Sequence, residues 1–246
     1  MECKRHLKRV DPILVRGKLM VTLGLLEQYL VESIIENDFE GVILRLKQGA
    51  SVEAHDPDHG KTALHHAVAM NHIEVAEHLL FSGADANSFD FTGKDSLHMA
   101  CRNSNFEMLQ LLTSFDVNVD SKTIDGGWTP LHFAAQYCFN ETGDRIATSL
   151  VNMCGADASL ETELGQTALE LCARFNNVSV ASVLLDSIPV RPHVLQVACC
   201  FGSAQVAALL VDHGYDVFSR PIATARIHGH ANLAKTLRNK IEKQVY

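Results

Sequence analysis

The sequence predicts an all-α solenoid, in which short helical units repeat along the chain and stack on one another. A motif with a shared leucine occurs three times, and Leu64, Leu97 and Leu131 lie 33 and 34 residues apart. A fixed period of this length is typical of repeat proteins. An apolar stripe of helical spacing follows the motif, and a single unit could not bury it alone. In the second unit the stripe consists of Val75, Ala76, Leu79 and Leu80.

The motif residues suit the start of a helix. The three copies read GKTALHHA, GKDSLHMA and GWTPLHFA at residues 60–67, 93–100 and 127–134. A threonine such as Thr129 can cap the first helix, because its hydroxyl accepts a hydrogen bond from an unpaired amide of the first turn. Pro130 is tolerated at the first helical position, where its missing N–H needs no partner.

The period and the T-P-L-H-x-A signature resemble the ankyrin repeat. The resemblance implies units of one β-turn finger and two antiparallel helices, with a concave groove on one side. A basic N-terminal segment at 1–26 precedes the predicted solenoid at 27–246. Its seven units are expected at about 27–59, 60–92, 93–126, 127–164, 165–191, 192–218 and 219–246.

Two irregularities in the spacing predict departures from a regular stack. Leu169 follows Leu131 by 38 residues, and we expect the extra residues to lengthen the loop between the helices of unit four, at 136–143. The leucine-equivalent positions of units five to seven lie only 26 and 27 residues apart. The fingers around 187–192 and 219–221 are therefore expected to be short.

The charge is unevenly distributed along the 246 residues, whose formal net charge is −8. Residues 1–29 carry a net +3 and residues 219–246 a net +5, which leaves −16 for the body between them. An acidic body disfavours nucleic acid and favours a partner protein with a basic or mixed basic and apolar segment. We expect a monomer.

The seven cysteines are odd in number and include no C-x-x-C pair, which indicates a reducing compartment. No apolar run reaches the roughly 20 residues that cross a bilayer. The expected location is therefore the cytoplasm or the nucleus.

Catalytic and cofactor motifs are absent from the sequence, which contains no G-x-S-x-G, no phosphate-binding G-x-x-x-x-G-K-[ST] and no G-x-G-x-x-G. We expect no enzyme activity, no cofactor and no metal. The resemblance implies that the motif histidines bridge backbone groups of neighbouring units. The alternative is a metal site near the first finger, but the irregular spacing there matches no zinc pattern. The histidines concerned are His55, His59, His65 and His66.

The resemblance places partner binding on the finger tips and the exposed side of the first helices. The position six residues after the motif leucine is mostly large or aromatic, being Met70, Asn103, Tyr137, Phe175 and Phe201. Aromatic residues rimmed by acids are typical of binding surfaces. The predicted contact residues are Asp56, Asp58, Phe89, Asp90, Phe91, Arg102, Asn103, Asp125, Trp128, Gln136, Tyr137, Arg174 and Phe175.

Some of these rings have a second interpretation, and so does the function. The rings that could instead pack between helices are those of Tyr137, Phe175, Phe201 and Trp128. The leading function is a non-catalytic adaptor or scaffold that holds a protein segment in the groove. The alternatives are a substrate receptor of a ubiquitin ligase, an inhibitor that masks a basic segment of its partner, and an enzyme.

Asn87 is a candidate modification site. In many ankyrin-repeat proteins an oxygen-dependent asparaginyl hydroxylase modifies an asparagine at this finger position, and Leu79 and Asp85 match the preference of that enzyme. The alternative is an asparagine that favours the turn conformation. If the modification occurs, mass spectrometry of the peptide from oxygenated cells will show one added oxygen atom on Asn87. An unmodified peptide would contradict it.

Overall fold

Paired helices follow one another along the whole of the described chain. The computed structural model describes residues 17–187, 191, 193–214 and 220–244. The helices are α1 Gly17–Ile35, α2 Phe39–Lys47, α3 Ala63–Ala69, α4 Ile73–Phe81, α5 Ser96–Arg102, α6 Phe106–Thr113, α7 Pro130–Tyr137, α8 Asn140–Thr148, α9 Ala168–Phe175, α10 Val178–Leu185, α11 Val194–Phe201, α12 Ala204–Asp212, α13 Arg220–Ile227 and α14 Ala231–Gln244.

The helices stack in two layers. The first helices of successive units, α3, α5, α7, α9, α11 and α13, contact one another in order. The second helices, α2, α4, α6, α8, α10, α12 and α14, form the other layer in the same way. The predicted all-α solenoid is confirmed.

A continuous apolar core lies between the two layers. The motif leucines, among them Leu64, Leu97 and Leu131, are at most 1% exposed. The predicted stripe on α4 is buried as well, and α4 packs on α3 and on the neighbouring second helices α2 and α6. Each unit therefore depends on its neighbours to cover its apolar face.

The extra residues of unit four are helical, so the prediction of a longer loop was wrong. Only residues 138–139 separate α7 from α8, whereas three residues separate the helices in units two and three. The second helix instead gains a first turn and continues into a π-helical segment at Ser149–Met153. Gly143 permits the added turn, because a Cβ there would lie 2.3 Å from the carbonyl oxygen of Cys138.

Two further predictions concern the start of the first unit and the short fingers of the last units. Helix α1 begins at Gly17 and runs across the expected boundary between residues 26 and 27. It contacts α2 and α3, so helical structure begins before the predicted first unit. The expected short fingers fall largely on 188–190, 192 and 215–219, which lie outside the described residues.

A buried histidine links each of three units to the next. The Nε2 atoms of His65, His98 and His132 lie 3.1, 3.0 and 3.1 Å from the carbonyl oxygens of Lys94, Trp128 and Gln166. Because a carbonyl only accepts, each Nε2 must carry the proton. In each case the carbonyl belongs to the residue just before the cap of the next first helix, so the bond joins two units.

The other ring nitrogen closes the cap of its own helix. The Nδ1 atom of His132 accepts a hydrogen bond from the backbone N–H of Thr129 at 3.1 Å, and the His65 ring does the same with Thr62. The neutral imidazole thus serves as donor and acceptor at once. Burial lowers the pKa of His65, and it lowers the pKa of His132 from 6.5 to about 4.

Unit five replaces the motif histidine by Glu170, and the linkage changes with it. Glu170 is buried, and its Oε1 lies 2.8 Å from Nε2 of His193 and 3.7 Å from a guanidinium nitrogen of Arg191. A buried carboxylate requires such donors, since an unpaired one would lose its hydration without replacement. The next unit therefore supplies a guanidinium and an imidazole where the earlier units supply a carbonyl.

The depressed pKa of His132 predicts a loss of stability in mild acid. The unfolded chain binds a proton near pH 6.5 while the folded chain does not until about pH 4, so the unfolding free energy falls as the pH decreases across this window. The slope is at most about 1.4 kcal/mol per pH unit for one such group. Urea unfolding at several pH values should show this decrease in the unfolding free energy.

The matched variants for this experiment are His132→Gln and His228→Gln. The first is expected to be less stable near neutral pH but to have a shallower pH dependence. His228 is exposed, so its replacement should leave the slope as it is in the wild type. An unchanged slope in His132→Gln would contradict the assignment.

Candidate functional site

The fingers before α3, α5, α7 and α9 form one continuous edge along the groove. Backbone N–H groups of Phe91, Ile124 and Glu163 donate to the carbonyls of His59, Thr92 and Gly126 at 2.9, 3.0 and 2.8 Å. Each finger is thus tied to the one before it. We call the row of tips joined by these bonds, at residues 58–59, 91–92, 124–126 and 163–164, the fingertip edge.

A second row of hydrogen bonds joins the fingers at their base. Side-chain oxygens of Glu53, Asn87 and Asp120 accept from the backbone N–H of the next finger, at 2.7, 2.7 and 3.0 Å. Asn87 also donates from Nδ2 to the carbonyl of Asp116 at 2.7 Å. The oxygen and the nitrogen of its side-chain amide therefore both bond to the next finger, which is a structural role for Asn87. Its hydroxylation stays a prediction.

Two of the predicted contact carboxylates hold the turns of their own fingers. One oxygen of Asp90, which is buried, accepts hydrogen bonds from the N–H groups of Thr92 and Lys94 at 2.8 and 2.9 Å. The Asp56 carboxylate accepts from three backbone N–H groups in the same manner. Burial alone would raise the pKa of either carboxyl, but these hydrogen bonds lower it below the ordinary value.

The fingertip edge exposes apolar side chains. Phe91 is 63% exposed, and Phe89 nearby is 46% exposed. The structure adds Ile124 at 70% and Leu164 at 79%, neither of which sequence reasoning singled out. Ile124 could have been found, because it occupies the position of Phe91 in the next finger. The carboxylates of Asp58, Asp125 and Glu163, all exposed, lie along the same edge.

An aromatic cluster lies on the floor of the groove in unit four. The ring of buried Phe133 meets Trp128 edge-on at 5.6 Å and stacks with Tyr137 at 6.1 Å between centroids. Trp128 is half-buried and Tyr137 is 39% exposed. Both rings therefore pack on the core and still present a face to the groove. The guanidinium of Arg102 lies 6.0 Å from the centre of the Tyr137 ring.

The same arrangement of arginine and aromatic rings recurs in units five and six. The Arg174 guanidinium lies 5.5 Å from the centre of the Phe175 ring and 5.2 Å from that of Phe201. Such cation–π contacts hold an exposed guanidinium in place. Phe175 is half-buried against the core, and Phe201 is 52% exposed.

The remaining predicted contacts have simpler surroundings. Asn103 is exposed and donates from Nδ2 to the carbonyl of Ala69 at 3.4 Å. Gln136 is half-buried beside Tyr137 in the chain. Met70, which belongs to the predicted groove row but not to the predicted contacts, is 48% exposed. The predicted contacts are therefore divided between the fingertip edge, the floor and the interior of the finger turns.

Only two of the four histidines near the first finger share a neighbour: ring nitrogens of His59 and His66 lie 3.6 and 3.5 Å from the Asp56 carboxylate. His65 belongs to the link between units, and His55 Nδ1 lies 2.8 Å from the carbonyl oxygen of Gly60. Within the described ranges, no group of three or more His, Cys, Asp or Glu side chains could hold a metal ion. Among the same residues, no helix is long and apolar enough to cross a membrane.

Comparison with known proteins agrees with the repeat architecture. The family model for ankyrin repeats (many copies) matches residues 64–113 and 97–142. The chain is 33% identical over 140 residues to human neurogenic locus notch homolog protein 2, 28% over 156 residues to mouse inversin, and 30% over 152 residues to the Drosophila melanogaster tyrosine-protein kinase Shark.

These matches involve only part of each relative. They include 57%, 63% and 61% of this chain but only 6%, 14% and 16% of the respective relatives. The chain contains ankyrin repeats, which the family model identifies over residues 64–142.

Proposed function

We propose that this protein is a non-catalytic adaptor or scaffold that binds a segment of a partner protein along the fingertip edge and the groove floor. Ankyrin repeats are protein-interaction modules. One observation carries the proposal for this chain: the fingertip edge exposes Phe91, Ile124 and Leu164 on fingers held together by backbone hydrogen bonds. A row of exposed apolar side chains on a rigid frame is typical of an interaction site.

The charge of the edge suggests what the partner carries there. Asp58, Asp125 and Glu163 are exposed beside the apolar row, and none of them forms an ion pair among the described residues. Basic side chains that flank an apolar residue would complement this edge. The same carboxylates favour a second candidate, an inhibitor that masks a basic segment of its partner.

We also propose a reducing compartment, the cytoplasm or the nucleus, as the place of action. The support comes from thiols that are part of the apolar core rather than of cross-links. Cys101, Cys172 and Cys199 are buried, and burial raises the pKa of the Cys199 thiol to about 12. A neutral, inert thiol of this kind behaves as a small apolar side chain.

The test of the interaction site compares proximity labelling in cells by the wild type and by Phe91→Ala/Ile124→Ala. Proteins labelled by the wild type should be labelled about tenfold less by the variant, since the central apolar contacts are lost. The matched control is Leu44→Ala/Met153→Ala, which removes exposed apolar side chains from the second-helix layer. Equal labelling by all three proteins would reject the fingertip edge as the binding site.

A second prediction separates binding from stability. Trp128→Ala removes a ring that packs on Phe133 and should lower the unfolding free energy by about 2 kcal/mol. Phe91→Ala removes a mostly exposed ring and should change it by less than about 1 kcal/mol. Urea unfolding of the purified variants measures both. Equal losses would mean that Phe91 serves the core rather than a partner.

A further inference from the structure

The groove between units two and three has a cationic floor, although the body of the chain is acidic. An open hollow of about 470 Å³ lies there, with Lys61, Lys94 and Arg102 in its lining. Asp58 and Asp90 contribute the carboxylates of the lining, and Met99 belongs to its apolar wall. The floor and the fingertip edge therefore differ in charge.

The carboxylates in the lining do not neutralise the three cations. Lys61, Lys94 and Arg102 form no ion pair within the part of the chain that the structure describes. Lys94 lies close enough to Asp90 to stabilise its carboxylate, but that carboxylate is buried and already hydrogen-bonded to its own turn. The Lys94 ammonium donates to the Thr92 hydroxyl at 2.9 Å.

The link between units aligns these cations with the aromatic cluster. Lys61, Lys94 and Trp128 each directly precede the cap of a first helix. The carbonyls of Lys94 and Trp128 accept the corresponding hydrogen bonds from His65 and His98, so the two residues occupy equivalent places in successive units. Lys61 precedes Thr62 in the same way. The side chains of Lys61, Lys94 and Trp128 therefore follow one another along the floor of the groove.

Arg102 connects the two parts of the floor. It lines the hollow beside Lys94, and its guanidinium lies over the ring of Tyr137 in the next unit. The planar guanidinium can bind a carboxylate through two parallel hydrogen bonds. One end of the floor is therefore suited to an anionic group, and the adjoining end to an apolar one.

We propose that the floor of the groove binds the carboxylate of an acidic side chain on an extended segment of the partner, with an apolar residue of that segment seated on Trp128 and Tyr137. This deepens the proposed function and rests on it. The occupant is a peptide of mixed charge, because the exposed acids of the fingertip edge complement basic residues while the floor complements an acid. A purely basic segment would be repelled by the positive charges of Lys61, Lys94 and Arg102.

The test begins with random peptides displayed on phage and selected on the immobilised full chain. The recovered peptides are synthesised with a fluorophore, and their affinities are measured by fluorescence anisotropy. We expect Asp or Glu close to a large apolar residue in the selected sequences. Exchange of that acid for Gln or Asn should weaken binding about tenfold, and added salt should weaken it progressively.

The matching change in the protein is Lys61→Gln/Lys94→Gln, which removes two charges and keeps much of the side-chain stem. This variant should bind the acidic peptides about tenfold more weakly than the wild type does. Its affinity for the Gln or Asn versions of the peptides should equal that of the wild type. The control, Lys47→Gln/Lys235→Gln, removes two exposed lysines from second helices and should bind like the wild type. Unchanged circular dichroism and melting temperature show that each variant is folded.

The outcomes separate the failure of this inference from the failure of the proposed function. If peptides bind less well to Phe91→Ala/Ile124→Ala but equally well to the lysine variant, the carboxylate site is rejected and the interaction module stands. If no peptide distinguishes the wild type from either variant, both proposals fail. A labelled single-stranded RNA that binds more tightly than the peptides, and loses affinity in the lysine variant, would replace the peptide as the ligand.

Discussion

The hydrogen bond from a buried histidine to the carbonyl before the next helix cap is the interaction on which the arrangement of the fingers depends. His65, His98 and His132 each close the first turn of one unit and hold the backbone of the next. Because the bond fixes the residue just before the cap, it also fixes where that side chain stands on the groove floor. Stability and the geometry of the site therefore rest on the same contact.

The fifth unit shows what this contact requires. Glu170 takes the place of the histidine, is buried, and bonds to His193 and Arg191 instead of to a carbonyl. A buried imidazole can remain neutral, whereas a buried carboxylate needs cationic or hydrogen-bonding partners. One substitution in the motif is thus matched by a different set of residues in the following finger. Arg191 also contacts Glu161, so the change reaches the fingertips.

The distribution of charge within the groove gives the protein more than one kind of surface. The net −16 of the body describes the fingertip edge, where Asp58 and Asp125 are exposed, but not the floor, where Lys61, Lys94 and Arg102 meet. Several acids that contribute to this total are occupied by their own turns, as Asp56 and Asp90 are. A total charge cannot distinguish an acid that caps a turn from one that faces a partner.

The sequence alone determined the repeat, its register and the buried leucines, because each of these depends on periodicity and on caps within a few residues. The bridging role of the histidines was implied by the resemblance to ankyrin repeats. The sequence also predicted Phe91, Trp128 and Tyr137 as contacts, since the resemblance places them on the groove side. Only the tertiary structure decided that the extra residues of unit four extend a helix, because Gly143 fits closely against the Cys138 carbonyl. It likewise decided which acids face inward and that three cations share one floor. The first two outcomes involve residues only two to five positions apart, but they depend on how the chain packs around them. The shared floor joins Lys61 and Lys94, which are 33 positions apart, and no local pattern encodes it.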